Sequence, residues 1–230
     1  MPTRVDTALM LARMDTVLIR QHLERAPPGR LAEWLEARGL PYVVSRSWRL
    51  EPLPDPEDHA FVVSLGHDLG AADTHDPAIR AEHELLRRAV AREVPVLGLC
   101  YGGQVLAAIL GATVARAPTP ELGWREIDSD EPAVIPAGAW ITWHYDRFQT
   151  PPRATELART ADASQAFRLG PHLGVQFHPE ATVEIMEGWA NSEGVDPPPP
   201  APPERRRAAR DAAFRLFDAF LNQSQKRLAA

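Results

Sequence analysis

The only cysteine of the chain stands where a strand-like pattern gives way to a helix-like one, in residues 96–104, Val-Leu-Gly-Leu-Cys-Tyr-Gly-Gly-Gln. An apolar run over 94–99 stops at Cys100, two glycines follow, and helical periodicity occupies 104–110. Strand, sharp turn and helix in that order build a nucleophile elbow. Gly98, Gly102 and Gly103 suit it because so tight a crossing leaves no room for side chains. A helix N-terminus beneath the turn favours a thiolate, and its free N–H groups can receive an oxyanion. A lone cysteine is by default a small buried hydrophobe; the elbow around Cys100 turns the reading toward a nucleophile.

A nucleophile of this kind needs a base, and residues 174–180, Gly-Val-Gln-Phe-His-Pro-Glu, offer one. Residues 173–177 alternate as a strand does, and Pro179 halts pairing, so His178 falls at a strand end. Glu180 follows two residues later, within reach of the ring to fix its tautomer. Alone, His178 reads as a satisfied strand-end histidine. Together, Cys100, His178 and Glu180 supply the nucleophile, base and orienting carboxylate of acyl transfer.

These two segments, Gly-Leu-Cys-Tyr-Gly-Gly-Gln at 98–104 and Gln-Phe-His-Pro-Glu at 176–180, resemble those of the class I (triad) glutamine amidotransferases, nearest to the glutaminase domain of GMP synthase and its stand-alone relatives. The resemblance runs from about residue 62 to 180. Glu-Leu-Gly-Trp at 121–124 resembles the family's Glu-x-Gly stretch, Trp-His-Tyr-Asp at 143–146 its His-x-Asp segment, and 151–159 the Pro-x-x-x-x-x-Leu-Ala that follows. It implies a flavodoxin-like three-layer α/β sandwich, mainly parallel, with a small antiparallel excursion. It also implies hydrolysis of the glutamine side-chain amide through a Cys100 thioester. The oxyanion would be held by the Tyr101 N–H and a backbone N–H near Gly66. His178 would serve as acid and base, Glu180 would orient it, and Gln104 would hold the amino-acid end of the substrate, unless Gln104 is a helix-surface residue.

The chain departs from the family at Ser-Leu-Gly-His-Asp, 64–68, which replaces a Gly-Gly-Pro-like loop. Three readings stay open for His67: it narrows the pocket, contacts a different substrate, or points to solvent. His144 and Asp146 either line the pocket mouth or face a synthetase, or else form a structural His–Asp pair. Past the proline-rich residues 196–203 one short helix is expected and no fused synthetase. Ammonia would then pass to a separate synthetase partner. A free-standing hydrolase acting on a small γ-glutamyl compound is the alternative, and a degenerate binding module a third.

Composition narrows the classes. With 230 residues, 44% of them apolar, the chain has enough for one α/β domain, expected over 1–195, followed by a proline-rich spacer over 196–203 and a C-terminal helix over 204–230. A net charge of −6 argues against a nucleic-acid or anionic-membrane surface. One cysteine allows no internal disulfide and suits a reducing compartment; residues 1–20 carry charges throughout and no leader or membrane-span pattern, so a cytoplasmic location is expected. His59, His67, Asp68, Asp73, His75, Asp76 and His83 crowd one stretch, but no metal-ligand spacing appears, and neither metal nor cofactor is expected.

Strands are expected over 7–12, 42–44, 60–65 and 94–99, with helices over 30–38 (closed by Gly39) and 79–91, the alternation of a parallel sheet. Short strands over 113–115, 124–127, 140–143 and 164–168 would return the chain to His178. The spacer should be extended and stiff. The helix over 204–221 carries apolar Ala212, Ala213, Leu216, Phe217 and Phe220 on one side, to pack on its own domain or on a second subunit.

Overall fold

Alternation of apolar side chains along short strands decides how the sheet of this protein is covered. A computed structural model describes residues 16–49 and 51–228; the strand expected over 7–12 lies outside them. In chain order the elements are β1 (Val17–Gln21), α1 (Gly29–Ala37), β2 (Tyr42–Arg46), β3 (Val62–Ser64), α2 (Pro77–Ala91), β4 (Val96–Leu99), α3 (Tyr101–Ile109), β5 (Val114–Ser129), β6 (Gly138–Phe148), β7 (Thr155–Arg159), β8 (Ser164–Leu169), β9 (His172–Val175), α4 (Val183–Glu193) and α5 (Pro203–Leu228). Among the described residues the strands form a nine-stranded sheet in the order β2-β1-β3-β4-β9-β8-β7-β5-β6. The first five of these strands pair in parallel and the remaining pairings are antiparallel. This is the expected mixed, flavodoxin-like α/β sheet with flanking helices.

The period-2 rule sorts the two faces. Val17, Ile19, Val63, Leu97, Leu99 and Val175 point to one side, where α1 and α5 cover them with Leu31, Trp34, Leu35, Leu216, Phe217 and Phe220. Leu18, Val62 and Val96 point to the other, under Ile79, Leu85 and Leu86 of α2 and Val105 and Leu106 of α3. Asp76 caps α2 by accepting from the Ala78 and Ile79 amides, with Pro77 in the first turn, so this member of the His/Asp cluster is spent on a helix end. Gly39 closes α1 at φ +64°.

Several elements differ from the sequence reading. No strand is expected at β1, where only three apolar residues precede Arg20 and Gln21; both polar side chains are buried, and internal partners admit them to the sheet. The segments expected at 113–115 and 124–127 are one strand of 16 residues, β5, kept continuous through a register irregularity between Arg116 and Glu121. The 140–143 segment belongs to a longer β6, and β7 and α4 are additional.

Residues 196–202 form no helix or strand and cross β5 at Gly123, where an added Cβ would meet Pro198 at 2.8 Å. The crossing delivers α5 to the face already holding α1. There Asp218 accepts from Trp34 Nε1 (2.9 Å) and from Arg38, and Arg210 pairs with Glu33 at 2.6 Å. Arg206, in the first turn of α5, finds Glu184 at 3.2 Å. Leu216, Phe217 and Phe220 are almost wholly buried, each contributing about 1.5–3 kcal/mol of burial.

Candidate active site

At the end of β4 the chain reverses within one residue. Cys100 takes φ 51°, ψ −105°, a conformation that costs a non-glycine residue about 1–3 kcal/mol. The neighbours enforce it: the Cys100 amide donates to the Val175 carbonyl (2.8 Å), and the Gly102 amide to Leu65 (3.2 Å). A Cβ at Gly102 would run into the Ser64 carbonyl and one at Gly103 into the Val175 carbonyl, so the two glycines let α3 pass directly against β3 and β9. The Tyr101 N–H lies in the first helical turn, where no carbonyl within the helix can accept from it.

His178, just past β9, donates its amide to Ile141 (2.8 Å) and bonds Glu180 Oε1 through Nδ1 at 2.6 Å, with both side chains buried. Its Nε2 is buried on the side of the ring that faces Cys100. Burial pushes the imidazole down, but the Glu180 carboxylate and the neighbouring Cys100 outweigh burial, and its pKa stands well above the ordinary histidine value. The backbone of Glu180 is fixed in turn by α1, whose Arg30 amide donates to its carbonyl at 2.8 Å.

Around these groups lies a cavity of about 330 Å³ lined by Gly66, His67, Cys100, Gln104, His144, Asp146 and His178, the expected residues, together with Leu23, Arg25, Trp143, Tyr145, Trp189 and Glu193. Gly66 faces His178: a Cβ there would stand 3.0 Å from its Cε1. His67 does not point to solvent. Its ring stacks on His22 at 5.6 Å and lies 5.2 Å from the Tyr101 ring, narrowing the pocket, and burial and the neighbouring His22 hold its pKa down.

Gln104 is no surface residue. It is buried, and its Nε2 donates to the Asp146 carbonyl (3.0 Å) and to Gln176 Oε1 (3.4 Å). The side chains of His144 and Asp146 do not pair with each other. His144 Nε2 lies 2.9 Å from Glu121 Oε2, which also accepts from Gln165, while the Asp146 carboxylate at the mouth faces Arg116 at 3.6 Å. Among the described residues no three histidine, cysteine or acidic side chains gather as metal ligands, and no helix is long and apolar enough to cross a membrane.

Sequence reasoning missed Gln176, whose Nε2 reaches the Cys100 sulfur at 3.7 Å; its place two residues before His178, on the same strand face, was the available signal. It also missed Trp189 of α4, whose ring lies 4.6 Å from that of His178 and whose Nε1 donates to the Arg25 carbonyl. Glu193 accepts from Trp143 Nε1 (2.9 Å) and from the Tyr145 hydroxyl (2.7 Å), bracing β6 against α4.

A family model described as "Glutamine amidotransferase class-I" matches residues 70–188. The chain belongs to the class I glutamine amidotransferase family. It is 31% identical over 175 residues to the glutamine amidotransferase-like protein YfeJ of Salmonella typhimurium, covering 70% of this chain and 73% of that one. It is 37% identical over 114 residues to a glutamine-hydrolysing GMP synthase of Aeropyrum pernix, an alignment covering 44% of this chain. The chain matches only about a fifth of that synthase, 22% of its length. Among solved structures, a glutamine amidotransferase of Methylobacillus flagellatus superposes with a TM-score of 0.82 at 26% identity, covering 91% of this chain and 95% of that one.

Proposed function

We propose that this amidotransferase hydrolyses the side-chain amide of glutamine at Cys100 and releases ammonia for a separate acceptor enzyme. The single observation that carries the reading is the buried His178–Glu180 contact of 2.6 Å set beside a cysteine on a strained elbow. The Cys100 thiolate adds to the carboxamide carbon, and the oxyanion takes hydrogen bonds from the Tyr101 and Gly66 amides. Protonated His178 gives its Nε2 proton to the departing nitrogen as the C–N bond breaks and ammonia leaves. His178 then takes a proton from water, which attacks the thioester and frees glutamate and the thiolate. Gln104 has its amide nitrogen occupied by Asp146 and Gln176, which leaves its oxygen to accept from the substrate ammonium.

One observation favours a second reading, a hydrolase of larger γ-glutamyl amides. Leu23, Leu69, Trp143 and Trp189 give the cavity an apolar wall of the kind that suits an organic amine rather than ammonia. Purified protein assayed for ammonia and glutamate on glutamine, and for amine release on γ-glutamyl alkylamides, separates the two. Glutamine turnover that a separate synthetase accelerates supports the first, and fast, partner-independent alkylamide cleavage with poor glutamine turnover supports the second. Cys100→Ser should abolish either activity, by about 10³-fold or more, because a hydroxyl is a much weaker acid than a thiol. Full activity in that variant would contradict both.

A further inference from the structure

Behind the candidate site lies a buried ionic cluster that the triad does not use. Glu82, in the middle of α2, is wholly buried. Its Oε2 accepts from Arg20 Nε at 2.9 Å, and its Oε1 accepts from the Ser64 hydroxyl at 2.8 Å and stands 3.6 Å from His22 Nε2. Arg20 also donates to Ser45 (2.6 Å), and His22 Nε2 lies 3.2 Å from the Ser64 oxygen. With the Ser64 proton directed to Glu82, the Ser64 oxygen is left as an acceptor facing His22 Nε2. Burying a carboxylate and a guanidinium together seldom yields more stability than an apolar filling would, so what the cluster fixes is geometry.

What it fixes is the pair of backbone segments that flank the oxyanion position. Ser64 is the last residue of β3, and the next amide, Leu65, donates to the Arg20 carbonyl at 3.0 Å; the Leu65 carbonyl accepts from Gly102. That leaves Gly66 as the first residue to turn toward His178. On the far side, the His22 ring stacks on His67, immediately after Gly66, and meets the Tyr101 ring edge-on at 5.0 Å. One imidazole, held through Ser64 and Glu82, therefore touches the side chains bordering both amide donors.

We infer that Glu82 is a positioning residue for the oxyanion hole, acting through Ser64 and His22 to set the spacing of the Gly66 and Tyr101 amides. The inference rests on the Cys100 amidase reading above. It also gives His67 a seat: the ring stacks on His22 at the edge of the cavity it lines.

The test uses Glu82→Gln, which keeps the shape and removes the charge, and Ser64→Ala, which removes one hydrogen bond if the first variant does not fold. Each is measured for Tm, for kcat and KM on glutamine, and for the rate of Cys100 alkylation by iodoacetamide. Alkylation needs the thiolate but develops no oxyanion. A folded variant should lose kcat by about 10–10²-fold, below the cost of deleting an oxyanion donor outright, with KM and alkylation changed by less than about twofold. Unchanged kcat, or alkylation falling in step with kcat, overturns the inference. Failure of the amidase reading shows differently, as wild-type protein that is alkylated at Cys100 yet releases no ammonia, and it removes the inference as well.

Discussion

Two residues hold unusual states, and each yields a prediction. The pKa of His178 is raised well above the ordinary histidine value, burial being outweighed by Glu180 and Cys100. A raised pKa keeps the imidazole protonated beyond the pH at which a free histidine would lose its proton, so the acid form of His178 is lost only as pH climbs through that raised value. The alkaline limb of kcat/KM should therefore lie above pH 6.5, and Glu180→Gln should move it to lower pH. The same variant should cost less in kcat than His178→Ala, for which a loss of about 10²–10⁴-fold is expected. A pH–rate profile of both variants checks this, and an unmoved limb in Glu180→Gln would show that the carboxylate does not support the proton. Cys100, at φ 51°, ψ −105°, is strained in a way that glycine would not be. Cys100→Gly should thus be at least as stable as Cys100→Ala in a Tm comparison, although glycine at an unstrained position loses roughly 0.5–1 kcal/mol to alanine.

Among the elements, α5 buries a full apolar face in the core yet lies outside both motifs. Phe217 is fully buried and packs on Trp34 at 5.4 Å between ring centroids. Phe217→Ala should cost about 3–5 kcal/mol in urea unfolding and leave kcat on glutamine nearly unchanged in the folded protein, since no atom of α5 lines the cavity. This helix was legible because its apolar residues recur at helical spacing. The helices α2 and α3 were legible for the same reason, and the elbow because glycines flank a cysteine at a change of period. Other elements were not. In β1 the charged Arg20 hides a buried strand, because its partner Glu82 comes 62 residues later. Glu82 itself lies on the stripe of Ile79, Leu86 and Ala89, a polar residue at an apolar position, and that was the trace it left in the sequence. In α4, Trp189 and Glu193 acquire their roles only when the helix packs on β6.

Over the whole molecule, the sheet explains why two motifs about 75 residues apart form one site. β4 and β9 are parallel neighbours, with Leu97 to Leu99 in register with Leu173 to Val175, so the elbow cysteine and the histidine beyond Val175 emerge at the same sheet end, where ligands bind in such folds. The antiparallel arm then folds Trp143 to Asp146 over that end, and α4 closes it with Trp189. The motifs were readable in the sequence because each is local; the apolar wall, the Glu193 brace and the Glu82 cluster were not, because each joins elements distant in the chain. The central claim is that Cys100 is the group that bonds to the glutamyl carbon. Its most direct measurement is reaction with the glutamine-derived electrophile diazo-oxo-norleucine, followed by peptide mass mapping. The account predicts one label, on Cys100, appearing in step with loss of ammonia release and slowed by glutamine. A label on any other residue, or full inactivation with Cys100 unmodified, would contradict it.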